Sequence, residues 1–264
     1  MKLGAYTACL HDKPVAQALR ILRDLGLDSA EINSGGFLPA PHLPIEKVRA
    51  SRDAREEYLG LFTSTGVILT ALNCNGNPLH PDPQVRDKHG NDVREAISLA
   101  ALLGVKRVVT MSGLRASDPG GRLPSHPHNL VYNPATMERL ATEINATHVG
   151  AEMDPSHLFW QGIDPIAALG RLGGLVYNAA AKDTRINAAA KVNGVLDDRF
   201  GRVRRDEPGA VSLGGRYTLS RWPENSCWDF VAVGRGHDVA CWREFLEALK
   251  KIDADVAVNI EHEE

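Results

Sequence analysis

Two carboxylates, Asp154 and Glu261, follow short apolar segments, HVGAEMD (148–154) and DVAVNIEHE (255–263). Hard divalent cations such as Mg²⁺ and Mn²⁺ prefer oxygen and imidazole ligands in roughly octahedral geometry. A cation beside such carboxylates can polarise a carbonyl, and a carboxylate can then remove the proton from the adjacent carbon. The pattern favours Asp154 and Glu261 as ligands, with Glu261 as general base. A helix cap or a loop salt bridge is the structural alternative for any single strand-end carboxylate.

Three further side chains could complete such a site. His157 follows Asp154 by one short turn, in DPSH, and we expect it to be catalytic. His126 could act as a ligand if the segment around it folds toward the same carboxylates. Asn178 offers an amide oxygen, which binds Mn²⁺ less strongly than imidazole does. A solvated loop histidine, or an asparagine that only hydrogen-bonds at a strand end, is the alternative reading.

Other polar residues suit a ligand with many hydroxyl groups. Glu31 lies near the end of the second predicted strand, and Asn77 and His80 follow the third. Lys182 and Arg185, in AKDTR, can hold substrate hydroxyls or a phosphate, because arginine binds oxygen pairs in a bidentate manner. A solvated charged loop is the alternative for that segment. Together these residues predict a substrate-binding surface for a sugar-like molecule.

The elements that position these residues alternate along the chain. Apolar runs predict strands at 2–8, 29–33, 67–74, 107–113, 148–154, 175–183 and 255–263. Helical spacing predicts helices at 14–25, 45–65, 84–103, 134–144, 164–173 and 238–252. Strands alternating with amphipathic helices predict parallel strands covered by helices on the outside. We therefore expect one TIM-type α/β barrel over residues 1–264, with the site at the C-terminal ends of its strands.

Seven strands are one fewer than a closed barrel of this type has. The stretch 113–133 is too short for a full helix and strand, unless HNLVYN (128–133) pairs as a remnant strand. The sequence thus predicts a barrel shortened by about one βα unit near 113–133 and lacking its last helix. The long polar stretch 184–238, with a hairpin predicted near 211–220, is interpreted as a lid or a partner-binding arm.

Composition excludes several classes of protein. The formal net charge is -3, and the four cysteines form no CxxC pair. No basic surface for nucleic acid is expected from this balance, and dispersed cysteines are typical of a reducing compartment. No segment approaches the roughly 18 apolar residues of a membrane span, and no leader pattern precedes the first strand. We therefore predict a cytoplasmic protein that binds neither nucleic acid nor membrane.

Several blocks of the sequence resemble the sugar phosphate isomerase/epimerase family, which has the xylose isomerase-like barrel. They are AEIN (30–33), NGNPLHP (75–81), DPSHLFWQGIDP (154–165), AKDTRIN (181–187) and NIEHE (259–263). The resemblance covers nearly the whole chain and implies one divalent metal, Mn²⁺ or Mg²⁺, held by a glutamate, an aspartate, a histidine and a second glutamate. It matches Asp154 to the aspartate, Glu261 to the second glutamate, and His157 to a histidine that contacts a substrate oxygen.

The chain departs from the family pattern at two of the four ligand positions. Pro124 stands where the first glutamate is expected, and Asn178 and Ala180 stand at the histidine positions. The resemblance still implies a metal-dependent isomerase or epimerase of a sugar or keto-sugar. Two alternatives stay open: a lyase or deglycosidase on 3-keto-glycosides, and a catalytically impaired sugar-binding barrel. A homo-oligomer or a complex with a small partner subunit is compatible with each.

Overall fold

The computed structural model describes residues 1–80, 82–113, 129–145, 147–195, 211–214, 217–219 and 226–262. The strands within these ranges are β1 (Lys2–Tyr6), β2 (Ser29–Asn33), β3 (Ile68–Asn73), β4 (Val108–Val109), β5 (Ala151–Met153), β6 (Val176–Ala181), β7 (Asp183–Ile186), β8 (Val211–Gly214), β9 (Tyr217–Leu219), β10 (Trp228–Val231) and β11 (Ala257–Ile260).

The α-helices of the described residues lie between these strands. They are α1 (Val15–Asp24), α2 (Ile45–Ala50), α3 (Arg52–Thr65), α4 (Pro83–Leu103), α5 (Pro134–Ile144), α6 (Ser156–Phe159), α7 (Pro165–Leu172), α8 (Ala190–Asn193) and α9 (Val239–Ile252). No described helix is both long enough and apolar enough to span a membrane.

Seven strands form one parallel sheet in the order β4-β3-β2-β1-β11-β6-β5, which curls into a nearly closed barrel. The first strand pairs with the last, with Lys2 opposite Ala257 and Ala5 opposite Ile260. The predicted TIM-type α/β barrel with seven strands is therefore confirmed. Because parallel strands all end at the same rim, the residues that follow β5, β6 and β11 meet at one mouth.

The chain returns to the barrel beside β4, one edge of the sheet. The Leu130 N–H donates to the Gly113 carbonyl at 3.2 Å, and the Val131 N–H donates to Ser112 Oγ at 3.0 Å. Residues 129–133 carry a single β-bridge at Asn129, and Asn133 caps α5. Whether HNLVYN (128–133) acts as a remnant strand stays a prediction, because His128 lies outside the described residues.

The predicted shortening near 113–133 and the predicted lack of a last helix stay predictions. Residues 114–128, with Pro124, His126 and His128, lie outside the described part of the chain, as do residues 263 and 264.

The apolar core lies outside the barrel, between the strands and the helices. One cluster joins β1–β3 to α1, α3 and α4 and includes the fully buried Ile32 and Leu99. A second cluster joins β5, β6 and β11 to α7 and α9 and includes Leu169 and Leu249. Burying a side chain of this size contributes about 1.5–3 kcal/mol. Since alternate strand residues point outward into these clusters, the others point into the barrel.

Side-chain caps set several helix boundaries. The helix predicted over 45–65 is interrupted at Ser51, whose backbone is extended (φ −139°, ψ 138°) and whose Oγ accepts the Ala54 N–H. Serine competes for the backbone in this way and favours a new helix start. Asp82, Asn133 and Asp164 cap α4, α5 and α7 similarly.

The stretch predicted as a long loop contains an antiparallel ribbon. Strand β7 continues from β6 after Lys182 and pairs with β10, with Thr184 opposite Phe230. The predicted hairpin near 211–220 is confirmed, because β8 and β9 pair antiparallel. Next to the ribbon, Trp160 and Trp228 stack with ring centroids 5.0 Å apart. The role of this region as a lid or partner arm stays a prediction.

Candidate functional site

Polar side chains, rather than apolar ones, line the inside of the barrel. A deep layer consists of Glu31, Asn73, Glu152, Asn178 and Asn259, which lie on β2, β3, β5, β6 and β11. A mouth layer consists of Asp154, His157, Lys182 and Glu261, which follow β5, β6 and β11. The two layers place amides, carboxylates and one ammonium group along a single axis.

In the deep layer, Glu31 is surrounded by amide donors. Asn73 Nδ2 donates to Oε1 at 2.7 Å, while Asn259 Nδ2 and Asn178 Nδ2 donate to Oε2 at 3.0 and 3.3 Å. Asn178 Nδ2 also lies 2.8 Å from Glu152 Oε1, so one amide bridges two carboxyl groups. The Oδ1 atoms of Asn178 and Asn259 are buried and have no hydrogen-bond partner among the described residues.

The deep carboxyl groups favour their protonated forms. Burial raises the pKa of Glu31 to about 7; the Asn73 amide opposes this, and the Glu261 charge adds to it. Burial likewise raises the pKa of Glu152 well above its ordinary value, and the nearby Glu31 raises it further. Desolvation penalises a buried charge, and neutral amide donors recover only part of that penalty. The deep layer therefore holds protons near neutral pH.

In the mouth layer, the acidic groups face cationic or titratable partners. Lys182 Nζ lies 3.1 Å from Glu261 Oε1, and His157 Nε2 lies 3.2 Å from Asp154 Oδ2. The Ser156 N–H also donates to Asp154 Oδ1 at 2.9 Å. Burial raises the pKa of Asp154 to about 6, with Lys182 opposing the shift and Glu261 adding to it. Asp154, Lys182 and Glu261 therefore share one electrostatic environment.

The other predicted site residues occupy different surroundings. Asn77 and His80 are buried in the loop after β3, where Asn77 Oδ1 accepts the Leu79 N–H and His80 Nδ1 accepts the Asp82 N–H. Arg185 lies on the ribbon and pairs with Asp229 at 3.0 Å. The structure thus brings Asp154, His157, Lys182 and Glu261 together, with Glu31 and Asn178 beneath them.

No family model matches the chain. The Bacillus subtilis (strain 168) protein YfiH is 30% identical over 312 aligned positions, which cover 100% of this chain and 93% of YfiH. The chain belongs to the YfiH family.

Solved structures agree on the fold of this YfiH-family chain. A probable 3-DHS dehydratase, AsbF from Bacillus anthracis, matches with a TM-score of 0.64 and 13% identity over 99% of this chain and 93% of AsbF. A xylose isomerase-like TIM barrel protein from Mycobacterium smegmatis, solved with magnesium, matches with a TM-score of 0.62 and 13% identity over 100% and 90% of the chains. The 3-keto-D-glucoside 4-epimerase YcjR from E. coli matches with a TM-score of 0.60 and 13% identity over 99% and 91%. The xylose isomerase-like barrel expected from the sequence is confirmed.

The donor set of this YfiH-family chain differs from the one that a divalent cation needs, as far as the described residues show. Within the described ranges, no group of three or more histidine, cysteine or acidic side chains is arranged to hold a metal. Of the predicted ligands, Glu261 pairs with an ammonium group, and Asn178 turns N–H donors toward two carboxyl groups. The described residues alone therefore do not fit a divalent cation, while His126 lies outside them.

Two residues of this region, Asn259 and Phe230, were not predicted from the sequence. Asn259 could have been found, because it lies two positions before Glu261 on a predicted strand and therefore points to the same side. Phe230, whose ring centroid lies 4.2 Å from Lys182 Nζ, gave no sequence signal. Its position depends on the pairing of β7 with β10, two segments separated by more than forty residues.

The loop VGRGHD (233–238), which precedes α9, binds a carboxylate group of the protein itself. The N–H groups of Gly234, Gly236 and His237 donate to Asp183 Oδ2 at 3.0, 3.0 and 3.1 Å. This loop therefore holds the carboxylate of Asp183, and Asp238 caps α9.

Proposed function

We propose that this chain is an enzyme that moves a proton at the carbon next to the carbonyl group of a sugar or keto-sugar, as an isomerase or epimerase does. The observation that carries the proposal is the mouth layer, where Asp154, His157, Lys182 and Glu261 converge at the C-terminal ends of the barrel strands. Barrels of this type place their chemistry at that rim. The structural neighbours that are named as an epimerase and a dehydratase support this class of reaction.

The roles of the residues follow from their chemistry. Glu261 accepts the proton from the carbon, and His157, held by Asp154, contacts a substrate oxygen. Lys182 binds the carbonyl side of the substrate. Glu31 and its amides form the polar floor of the pocket, while Asn77, His80 and Arg185 remain predicted substrate contacts. Buried amide and carboxyl groups suit a ligand with many hydroxyls, since each can pair with a hydroxyl group.

A divalent cation, Mn²⁺ or Mg²⁺, stays a prediction from the sequence, and the proposed proton transfer does not depend on it. The magnesium in the Mycobacterium smegmatis neighbour supports it. The predicted ligands are Asp154, Glu261, Asn178 and His126. Because the described donor set does not fit such a cation, no step of the mechanism is derived through it.

Deuterium exchange tests the proposed function. The protein is incubated in D₂O with a panel of ketohexoses and 3-keto-glucosides, and deuterium at the carbon next to the carbonyl is followed by NMR. Glu261→Gln should slow the exchange about 100-fold or more, because the general base is lost. Glu247→Gln, which changes an exposed residue of α9, should exchange like the parent protein. Undiminished exchange by Glu261→Gln would remove the proposed base.

A lyase acting on 3-keto-glycosides is the second candidate. Elimination begins with the same proton removal, and the pairing of His157 with Asp154 favours it, since a histidine held in this way can protonate a leaving oxygen. Release of the leaving group, rather than an epimerised sugar, would distinguish this reaction. Cytoplasmic location and a second copy or small partner subunit remain predictions.

A further inference from the structure

We propose that Lys182 is the resident cation of the mouth layer: its ammonium group supplies the positive charge that a divalent metal would supply to the developing oxyanion. The inference rests on the proposed function, because it names the group that stabilises the intermediate of that reaction. It also predicts that the site works without a bound metal.

The burial of Lys182 is the first observation. Its side chain is only 4% exposed, although it carries an ammonium group immediately after β6. Burying a charge without a partner is costly, so a buried lysine is kept charged by opposite charges nearby. Glu261 Oε1 lies 3.1 Å away, and Lys182 also acts electrostatically on Asp154. The ammonium group thus contacts one of the two carboxylates that were predicted as metal ligands and acts electrostatically on the other.

The aromatic wall beside Lys182 is the second observation. Phe230 on β10 places its ring centroid 4.2 Å from the ammonium nitrogen, which is a cation–π distance. The same ring meets His157 edge-on, with centroids 5.2 Å apart. The register of the ribbon places Phe230 opposite Thr184 of β7. Strand β7 itself begins one residue after Lys182. The ribbon therefore positions the ammonium group relative to His157.

The donor set around Lys182 is the third observation. Asn178 and Ala180 occupy the positions where the family resemblance implies imidazole ligands. Asn178 directs its N–H groups at Glu31 and Glu152, and its Oδ1 offers one neutral acceptor where the resemblance implies an imidazole. An ammonium group carries three N–H donors and can bind a carboxylate and a substrate oxygen together. The surroundings therefore suit a nitrogen cation better than a metal ion.

The chemical step balances without a co-reactant. Glu261 takes the proton from the carbon next to the carbonyl, and the electron pair of that C–H bond forms a C=C bond. The carbonyl π electrons move onto oxygen, giving an enediolate whose negative charge Lys182 stabilises. Binding of the substrate oxygen draws the ammonium group from Glu261, which frees the carboxylate to accept the proton. Return of the proton from Glu261 to the former carbonyl carbon, with the hydroxyl proton passing to the enediolate oxygen, gives the isomer. Delivery of a proton from solvent to the first carbon on its opposite face gives the epimer, and neither route changes the net oxidation state.

Manganese titration tests the charge assignment separately from activity. Protein stripped with EDTA is titrated with MnCl₂ while the EPR signal of free Mn²⁺ is recorded. The parent and Lys250→Met, a matched change at an exposed lysine of α9, should bind under about 0.1 equivalent, because the donor set of the described residues does not fit the ion. Lys182→Met should bind about 10-fold more tightly or better, since Asp154 and Glu261 have lost their cation.

Two outcomes of the titration would overturn the assignment. One is a parent protein that binds about one equivalent, lost in Asp154→Asn, which would place the metal where Lys182 is proposed to act. The other is Lys182→Met binding Mn²⁺ no better than the parent. The titration of the parent protein can contradict the assignment by itself. The test therefore remains decisive even if Lys182→Met folds poorly.

Deuterium exchange in EDTA tests the catalytic role. The parent should exchange at the same rate with and without Mn²⁺, Lys182→Met should lose about 100-fold or more, and Lys182→Arg should recover part of that loss because it keeps the charge. Exchange that requires Mn²⁺ would overturn the role of Lys182 and leave the proposed function standing. No exchange of any sugar in either condition would overturn the proposed function and the catalytic role together.

Discussion

Asp183 and Glu31 are both buried carboxyl groups next to the barrel, and their surroundings are opposite. Asp183 accepts N–H groups from Thr184, Gly234, Gly236 and His237 and also lies 2.8 Å from His237 Nδ1. Among the described residues, Glu31 accepts hydrogen bonds only from neutral amide groups, and other carboxyl groups lie nearby. One acid is surrounded by donors, and the other shares its donors with further acids.

The difference decides which form each acid favours. Burial alone would raise the pKa of Asp183, but the His237 side chain and the surrounding N–H groups outweigh it and lower the pKa. For Glu31, burial prevails and raises the pKa to about 7. A carboxylate that accepts several hydrogen bonds holds structure together, whereas one with a raised pKa is suited to carrying protons. The donors and charges around each acid, together with its depth of burial, therefore decide which form it favours.

The largest effect is expected at Asp183. Asp183→Asn should lower the free energy of unfolding by about 3–5 kcal/mol, because the new amide N–H group would face donors in the loop before α9. Urea unfolding followed by circular dichroism measures this, with Asp24→Asn on the exposed end of α1 as control. A loss below about 1 kcal/mol, the size of one ordinary hydrogen bond, would mean that the loop does not depend on Asp183.

An effect of intermediate size on the free energy of unfolding is expected at Glu31. Its pH dependence is opposite to that of Asp183. Its folded pKa of about 7 exceeds the ordinary 4.5, so between these values the folded state holds a proton that the unfolded state has released. Stability contributed by this proton is present below pH 4.5 and is lost as the pH rises through 7. In EDTA, the unfolding free energy of the parent should therefore fall from pH 5 to pH 8, and Glu31→Gln should reduce that fall by about 3 kcal/mol.

Asp183 provides the contrast for that measurement. Its pKa is lowered, so its contribution is present at neutral pH and is lost only as the pH falls through the lowered value, below 3.8. Equal pH profiles for the parent and Glu31→Gln between pH 5 and pH 8 would contradict the assignment of the proton to the deep layer.

The smallest effect is expected from a single amide of the ring around Glu31. Asn259→Ala removes the donor 3.0 Å from Oε2 and should cost about 1–2 kcal/mol at pH 8, where Glu31 is charged. The loss should be smaller at pH 5, where the carboxyl group is protonated. Unfolding at both pH values, with Asn193→Ala at the exposed end of α8 as control, measures the difference. A loss independent of pH would indicate that Asn259 acts through packing alone.

The sequence predicted the parts of the fold that depend on local patterns. Strand 29–33 and helix 134–144 agree with β2 and α5 in both bounds, because Gly, Pro and a capping asparagine mark their ends. The break at Ser51 was missed, since the helical periodicity continues on both sides of it. A single serine that caps one helix while ending another changes neither composition nor spacing enough to be recognised.

For the site, the sequence predicted which residues lie at the ends of strands, but it did not predict the contacts between them. That Asp154 and Glu261 follow parallel strands places both at one mouth, and this required no knowledge of tertiary structure. The contacts of Glu31 with Asn178 and Asn259 join residues 147 and 228 positions apart and exist only once the barrel closes. The pairing of Lys182 with Phe230 likewise depends on a ribbon formed by distant segments.

The pairing of β1 with β11 has a consequence for biosynthesis. Lys2 and Ala257 are neighbours in the sheet, yet the ribosome makes them about ten to fifty seconds apart at ordinary elongation rates. Strand β1 must therefore wait with one edge unpaired while the intervening units are synthesised. Glu261, the proposed general base, directly follows β11 and is made after the other strands of the sheet. A chaperone that shields β1 would serve this protein during that interval.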